Sequence, residues 1–277
     1  MSNHLRIVYN NAADRSSISA STTAGSLVAA NMLNDRKGDV YRSTGTSSTI
    51  TMTFSSGEFM GVVATPFCNF TSSATIRVRA YVEIADAVPI VDTGDVLACA
   101  PSPLGSWEWG LVPLGTNSYS YGGEVYGRVW FDIVVVKKLV IDIVDTYNPD
   151  GYLEIGRIVA GAYFIPNNNA ELDAKFDIID TTKNERSEAG DLISDVGNKS
   201  KKIGFNLQHM TPSDRISITN ILKGNGLTKP IFVSLYPDDV DAAQEQLYQV
   251  YGKLPQMFSV GISYWNAFNS SIEVEEV

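Results

Sequence analysis

Thr49-Ile50-Thr51-Met52-Thr53-Phe54, then Ser55-Ser56-Gly57, then Phe59-Met60-Gly61-Val62-Val63, is the stretch whose reading settles the fold class. Apolar residues recur at every second position and alternate with Thr, the pattern of a half-buried antiparallel strand whose alternate side chains enter a core. The Ser-Ser-Gly interruption predicts a tight turn between two strands. The same texture continues outward. Residues 74–81 place Ile76, Val78 and Ala80 on one face and Arg77, Arg79 and Tyr81 on the other. Residues 125–137 and 139–146 predict two more strands, Asn148-Pro149-Asp150-Gly151 a turn, and residues 152–164 a further strand.

Between residues 86 and 123 the texture changes to a Pro- and Gly-rich connection holding Pro101, Pro103, Gly105 and Pro113. Long connections of this kind often carry function. Trp107, Trp109, Tyr119 and Tyr121 lie in it, and Tyr126 and Trp130 follow it. Flat aromatic faces stack on sugar rings and also anchor protein interfaces, so Trp107, Trp109, Tyr119, Tyr121 and Tyr126 are the candidate contact residues. The competing reading is that they plug the end of a sandwich.

A second region opens at Pro166-Asn167-Asn168-Asn169. Its clearest element is a helix over residues 212–223: Thr211 caps it, Pro212 suits the first helical position, Asp214 favours the positive end of the helix dipole, and Gly224 or Gly226 ends it. Ile218, Ile221 and Leu222 supply its apolar stripe. A short buried strand over residues 230–236, a short helix over 238–246 and a terminal hairpin over 256–274 complete the expectation. The fold class is therefore mainly β, with a β-sandwich over residues 1–165 and a smaller α+β region over 166–277.

Composition excludes several functions. Lys and Arg total 21 against 31 Asp and Glu, and the resulting charge of −10 opposes binding to a phosphate backbone, which needs a positive surface. No nucleic acid is expected as a partner. A spanning helix needs about 20 consecutive apolar residues, and the most apolar stretch, residues 129–144, is broken by Asp132, Lys137, Lys138 and Asp142. No membrane insertion is expected, and residues 1–10 do not read as a secretory signal. The 2 cysteines, Cys68 and Cys99, are too few for a disulfide framework and are expected to be buried thiols.

Catalytic signatures are missing. The 2 histidines, His4 and His209, lie at the N-terminus and just before the predicted helix, without an evident acid–base partner. No nucleophile elbow, zinc-binding helix or phosphate loop occurs. The carboxylates Asp238, Asp239 and Asp241 read as a helix N-terminal turn, and Glu273, Glu275 and Glu276 as a solvated tail. Asn34, Asp35 and Asp39 are oxygen-bearing but not spaced as a Ca²⁺ loop, so they read as turn formers. Arg36, Arg42 and Arg157 read as surface ion-pair residues. The expectation is a chain that is not an enzyme, with no cofactor and no metal.

Asn31-Met32-Leu33-Asn34-Asp35, leading to Tyr41-Arg42-Ser43, resembles the opening of discoidin-like, galactose-binding-type jelly rolls, with Tyr41 where Trp is usual. Phe67-Cys68-Asn69-Phe70-Thr71-Ser72-Ser73-Ala74-Thr75-Ile76-Arg77-Val78 and Gly151-Tyr152-Leu153-Glu154-Ile155-Gly156-Arg157 fit the same pattern. With Tyr251-Gly252-Lys253-Leu254 near the end, the whole resembles virion proteins of long-tailed bacteriophages. The resemblance implies a jelly-roll sandwich and a structural tail-tip or baseplate subunit. Such a subunit joins the tail tube to the host-recognition apparatus. Its implied partners are copies of itself in a trimeric or hexameric ring and other phage tail proteins. Its implied place is the virion, after synthesis in the host cytoplasm. Ring closure needs heterologous contacts between unlike patches, which a weakly charged surface rich in Ser, Thr and Asn suits. The alternative reading is a carbohydrate-binding module that contacts host surface polysaccharide.

Overall fold

The structure is a computed structural model that describes residues 4–99, 125–237, 242–264 and 267–277. In chain order the first elements are β1 (Arg6–Val8), β2 (Ser17–Ala20), β3 (Tyr41–Arg42), β4 (Ser47–Cys68) and β5 (Thr75–Tyr81). They are followed by β6 (Val91–Asp92), β7 (Val96–Leu97), β8 (Val125–Val144), β9 (Glu154–Ile155) and β10 (Val159–Gly161). Then come β11 (Lys175–Asp180), β12 (Lys183–Arg186), β13 (Leu192–Asp195), β14 (Lys199–Met210) and α1 (Pro212–Asn225). The chain closes with β15 (Ile231–Ser234), α2 (Ala242–Leu247), β16 (Gln249–Lys253), β17 (Gly261–Tyr264) and β18 (Ala267–Glu276). The fold is mainly β and antiparallel. Two compact units form: Met1–Pro166 with Ile231–Gln249, and Asn167–Pro230 with Val250–Val277.

The first unit is organised by the pairing of β4 with β8. Ile50 lies opposite Ile141 and Met52 opposite Leu139; farther along, Val63 lies opposite Val129 and Cys68 opposite Val125. The expected turn at Ser55-Ser56-Gly57 is not a turn. Phe54, Ser55, Ser56 and Gly57 bulge out opposite Lys137 alone, and β4 runs on as one strand of 22 residues. A reciprocal bulge sets Phe131, Asp132 and Ile133 opposite Gly61, and β8 runs through Lys138 without a break, so the two strands expected over 125–137 and 139–146 are one strand, ending at Val144. Extra residues in one strand bend it and increase its twist. Gly61 sits at this corner, where a Cβ would fall 2.6 Å from the Tyr163 ring and 2.8 Å from Ile133.

Both halves of the bent pair line one core. Ile50, Met52 and Phe54 from before the bend pack in the same cluster as Met60, Val63 and Cys68 from after it, with Ile76, Val78 and Ala80 of β5 and Ile141 and Ile143 of β8. β2 borders the first half of β4 and β10 the second. The predicted strand over 152–164 is reduced to the short β9 and β10; between them Gly156 and Arg157 donate their N–H groups to Phe67 O and Pro66 O of β4, and Ile158 donates to Met32 O. β1 pairs with β15, Ile7 opposite Val233, so the chain returns to this unit after residue 230. Cys68 and Cys99 are buried free thiols; a hydrogen bond with Cys68, then burial, pushes the Cys99 thiol well up.

On the outer edge, Arg77 of β5 holds Asp92 of β6 in a two-pronged pair, Nε to Oδ1 at 2.8 Å and Nη2 to Oδ2 at 2.6 Å. The pair, helped by the Gly94 N–H, pulls the Asp92 carboxyl down to about 2. A carboxyl whose folded pKa lies below its unfolded value stabilises the fold above the unfolded pKa and loses that contribution as pH falls through the folded one. Carboxylate NMR titration is therefore expected to find Asp92 still ionised at pH 3. Arg77→Gln should return its midpoint toward the ordinary range near 4.

In the second unit β14 lies between β11 and β18, and β18 pairs on its other side with β16 and β17. β11 and β14 were not expected from the sequence. The terminal hairpin is present as β17 and β18. α1 forms as the sequence requires: Thr211 and Asp214 exchange a full capping box, Pro212 opens the helix, and Gly226, at φ 54°, closes it by donating its N–H to Leu222 O. Ile218 and Ile221 are buried as α1 packs on β14 and β18. No helix among the described residues is long and apolar enough to cross a membrane.

Candidate functional site

Trp107, Trp109, Tyr119 and Tyr121 lie outside the described residues. Tyr126 is described, and it is fully buried, with its ring 5.7 Å from Phe67 and stacked 6.3 Å from Phe232. It packs in the core rather than offering a face to a ligand. Trp130 is similarly engaged, with the Arg6 guanidinium 4.9 Å over its ring and Tyr163 edge-on at 5.5 Å. Its packing partners occupy the ring.

The described residues assemble a different cluster, built by the three segments that the jelly-roll resemblance singled out. β3 pairs with β9, Tyr41 opposite Ile155 and Arg42 opposite Glu154, while Cys68 at the end of β4 also meets Ile155. This register brings the Arg42 side chain to Glu154, with Nε and Nη2 donating to Oε2 at 2.8 and 2.5 Å. The same guanidinium lies 4.2 Å over the Tyr152 ring. The hydrogen bond to Glu154 raises the Arg42 pKa further, so the cation is permanent. Asn69 joins the set from the other side: its Nδ2 donates to Asp150 Oδ2 at 2.9 Å and Tyr152 O at 3.1 Å, and its Oδ1 accepts from Glu154 N–H at 2.8 Å.

The loop over residues 145–152 is held from beneath by Asp145. This carboxylate is fully buried and accepts from Thr71 N–H at 2.8 Å, Thr71 Oγ1–H at 2.6 Å and Asn148 Nδ2–H at 3.1 Å. Asn148 then donates to Asn69 O at 3.1 Å and accepts from Asp150 N–H at 3.0 Å. The result is a turn whose buried polar groups are satisfied and whose outward residue, Tyr147, is 77% exposed. An aromatic ring is thus presented on a fixed loop that also carries Asp150 and Tyr152 and leads into Glu154 of β9. Sequence reading named the turn but not this ring, because Asn-Pro-Asp-Gly reports only a change of direction.

Arg157 is not the surface residue it was expected to be. Its side chain is 3% exposed, and it donates from Nη1 to Met32 O at 3.0 Å and from Nη2 to Asp14 Oδ1 at 2.6 Å, with Asp35 Oδ1 3.3 Å from Nε. Burial pushes the Asp14 carboxyl up, against the pull of this guanidinium. Asp35 is therefore engaged by Arg157, while Asn34 donates to Asp39 at 2.9 Å and accepts from Arg36 N–H at 2.8 Å. These contacts shape the turn that leads into β3. His4 Nδ1 lies 3.4 Å from Pro166 O, and His209 is exposed at a bulge of β14 with φ 54°.

No protein-family model matches the chain, and comparison with curated proteins finds no match. Solved structures that it is similar to are distant. A Ruminococcus gnavus GH29 fucosidase in complex with fucose is 11% identical over 56% of this chain, with a TM-score of 0.39; the chain spans 27% of that enzyme's length. A chitosan-binding module from a Paenibacillus chitosanase/glucanase is 11% identical, with 55% of this chain and 99% of the module covered and a TM-score of 0.38. A family 32 carbohydrate-binding module of Clostridium perfringens in complex with galactose is 12% identical, with 58% and 99% covered and a TM-score of 0.37. At scores this low the likeness decides neither fold nor function.

Proposed function

We propose that the chain is a non-catalytic carbohydrate-binding protein whose sandwich contacts a surface polysaccharide through the Tyr147–Arg42 region. The observation that carries this reading is the exposed Tyr147 ring on a loop locked by Asp145, next in chain to Asp150, Tyr152 and Glu154. Sugars are held by an aromatic face against their C–H face and by a few fixed polar groups that bond adjacent hydroxyls. Arg42, Asn69, Asp150 and Glu154 are such groups, and their mutual bonds hold them in place before any ligand arrives. The reading rests on this geometry and not on the distant sandwich structures, some of which hold sugars.

Isothermal titration against oligosaccharides selected on a glycan array tests it. Tyr147→Ala is expected to weaken binding by about tenfold, or about 1.4 kcal/mol, with an unchanged melting temperature because the ring is exposed. Arg42→Ala is expected to weaken it as well. An array on which the protein binds no glycan overturns the reading.

We also propose a second reading, for the second unit: a structural subunit that assembles with copies of itself, as in the ring of a phage tail tip. Its supporting observation is the projecting ribbon of β12 and β13, in which every residue is exposed. An isolated two-stranded hairpin is marginally stable in water, so such a ribbon suits a contact made on assembly. The two readings are compatible, one unit binding sugar and the other assembling.

A further inference from the structure

We infer that the β12–β13 ribbon of one copy docks in the groove between α1 and β17 of a second copy, a head-to-tail contact that builds an oligomer. The inference deepens the assembly reading and rests on it.

The ribbon is a continuation of β11 and β14. Thr181 N–H donates to Asn198 O beyond the last pair of that ladder, and the strands then pair again from Lys183 opposite Asp195 to Arg186 opposite Leu192. Antiparallel strands turn their side chains alternately to opposite faces, so Leu192 and Ile193 leave the ribbon on different sides. Both are exposed, and Val196 at its base is 83% exposed. Glu185, Glu188, Asp191 and Asp195 outnumber Lys183 and Arg186, so the ribbon is acidic as well as apolar.

The groove has the complementary chemistry. Its volume is about 450 Å³, and α1 contributes Arg215, Ile216 and Lys223 to one wall, with Ile262 and Phe268 facing them. Ile216 is 55% and Ile262 74% exposed. Arg215 lies 4.6 Å over the Phe268 ring, which leaves its guanidinium at the rim. Among the described residues the lining carries two cations and no carboxylate. An acidic ribbon with protruding aliphatic side chains fits an aliphatic groove with a basic rim, and charge complementarity fixes the direction of docking. Because ribbon and groove are different surfaces of the same unit, the contact is heterologous and propagates to a ring or a filament.

Light scattering after size exclusion, on the full chain from low to high micromolar concentration, tests this. The wild-type protein is expected to form an oligomer larger than a dimer. Ile193→Asp with Leu192→Asp, in the ribbon, and Arg215→Glu with Lys223→Glu, in the groove, are each expected to give monomers. Circular dichroism of these variants should be unchanged, since the substituted side chains lie at the surface. Mixing the two should restore a heterodimer, one intact ribbon meeting one intact groove. Wild type that stays monomeric overturns both this contact and the ring reading. An oligomer that survives in either variant overturns the contact alone and leaves the ring reading standing, as does a mixture that stays monomeric.

Discussion

Arg128→Ala is expected to lower the melting temperature by roughly 10 °C, at about 3–5 kcal/mol for breaking a buried ion pair and about 2–4 °C per kcal/mol at this size. Arg128 leaves β8 and meets Glu245 of α2, with Nε donating to Oε1 at 2.8 Å and Nη2 to Oε2. The Glu245 side chain is 3% exposed and that of Arg128 14%. Arg128 Nη1 also donates to Leu97 O at 3.3 Å and Ala98 O at 3.2 Å, so one guanidinium joins three stretches of the first unit. Removing it strands a carboxylate in the interior. Replacing both partners is a different experiment: Arg128→Met with Glu245→Leu leaves no unpaired charge, and most of the lost stability should return. Differential scanning calorimetry of the two variants decides the matter. A double variant no more stable than Arg128→Ala would mean that the contacts to the Leu97 and Ala98 carbonyls, and not the charge pair with α2, carry the stabilisation.

Asp145→Ala is the second large effect. The carboxylate accepts three hydrogen bonds from Thr71 and Asn148, both nearly inaccessible to solvent. Each buried donor left unmatched costs about 1–3 kcal/mol, so a loss of about 3 kcal/mol or more is expected in urea unfolding. Asp145→Asn, which keeps the shape and one acceptor oxygen, should cost less. The same variant bears on function, because Asn148 and Asp150 are held through Asp145. Glycan affinity is expected to fall in Asp145→Ala even at temperatures where the protein remains folded. Unchanged affinity in a folded Asp145→Ala protein would separate the loop's rigidity from binding.

Part of the architecture was written in local pattern. Alternation at Ile50, Met52 and Phe54 and again at Ile76, Val78 and Ala80 put those side chains in the core, where they are found. The Thr211-Pro212-Asp214 signal and Gly226 marked both ends of α1 because capping is satisfied within a few residues. The alternation of Ile203, Phe205 and Leu207 marks β14 as well, with Lys and Asn residues on the opposite face. Small polar residues between apolar runs serve a turn and a bulge equally, and only the register against Lys137 distinguishes them.

The site was legible in its pieces and not as a whole. Arg42, Asn69 and Glu154 all fell in segments that the sequence had singled out, yet nothing local to any of them reveals that β3 pairs with β9. Arg157 is buried by partners, Asp14 and the carbonyl of Met32, that lie more than a hundred residues away, so nothing in its own neighbourhood signals its burial.

By itself the sequence determined a mainly β chain with a capped helix in its rear part, since alternation and capping are satisfied by neighbours along the chain. Tertiary structure alone decided three things: that β4 and β8 bend without reversing, that Ile231–Gln249 returns to the first unit, and that a buried aspartate holds an exposed tyrosine on its loop. Each depends on pairing between residues far apart in the chain, where register, burial and charge are set by the partner and not by the residue's own neighbours.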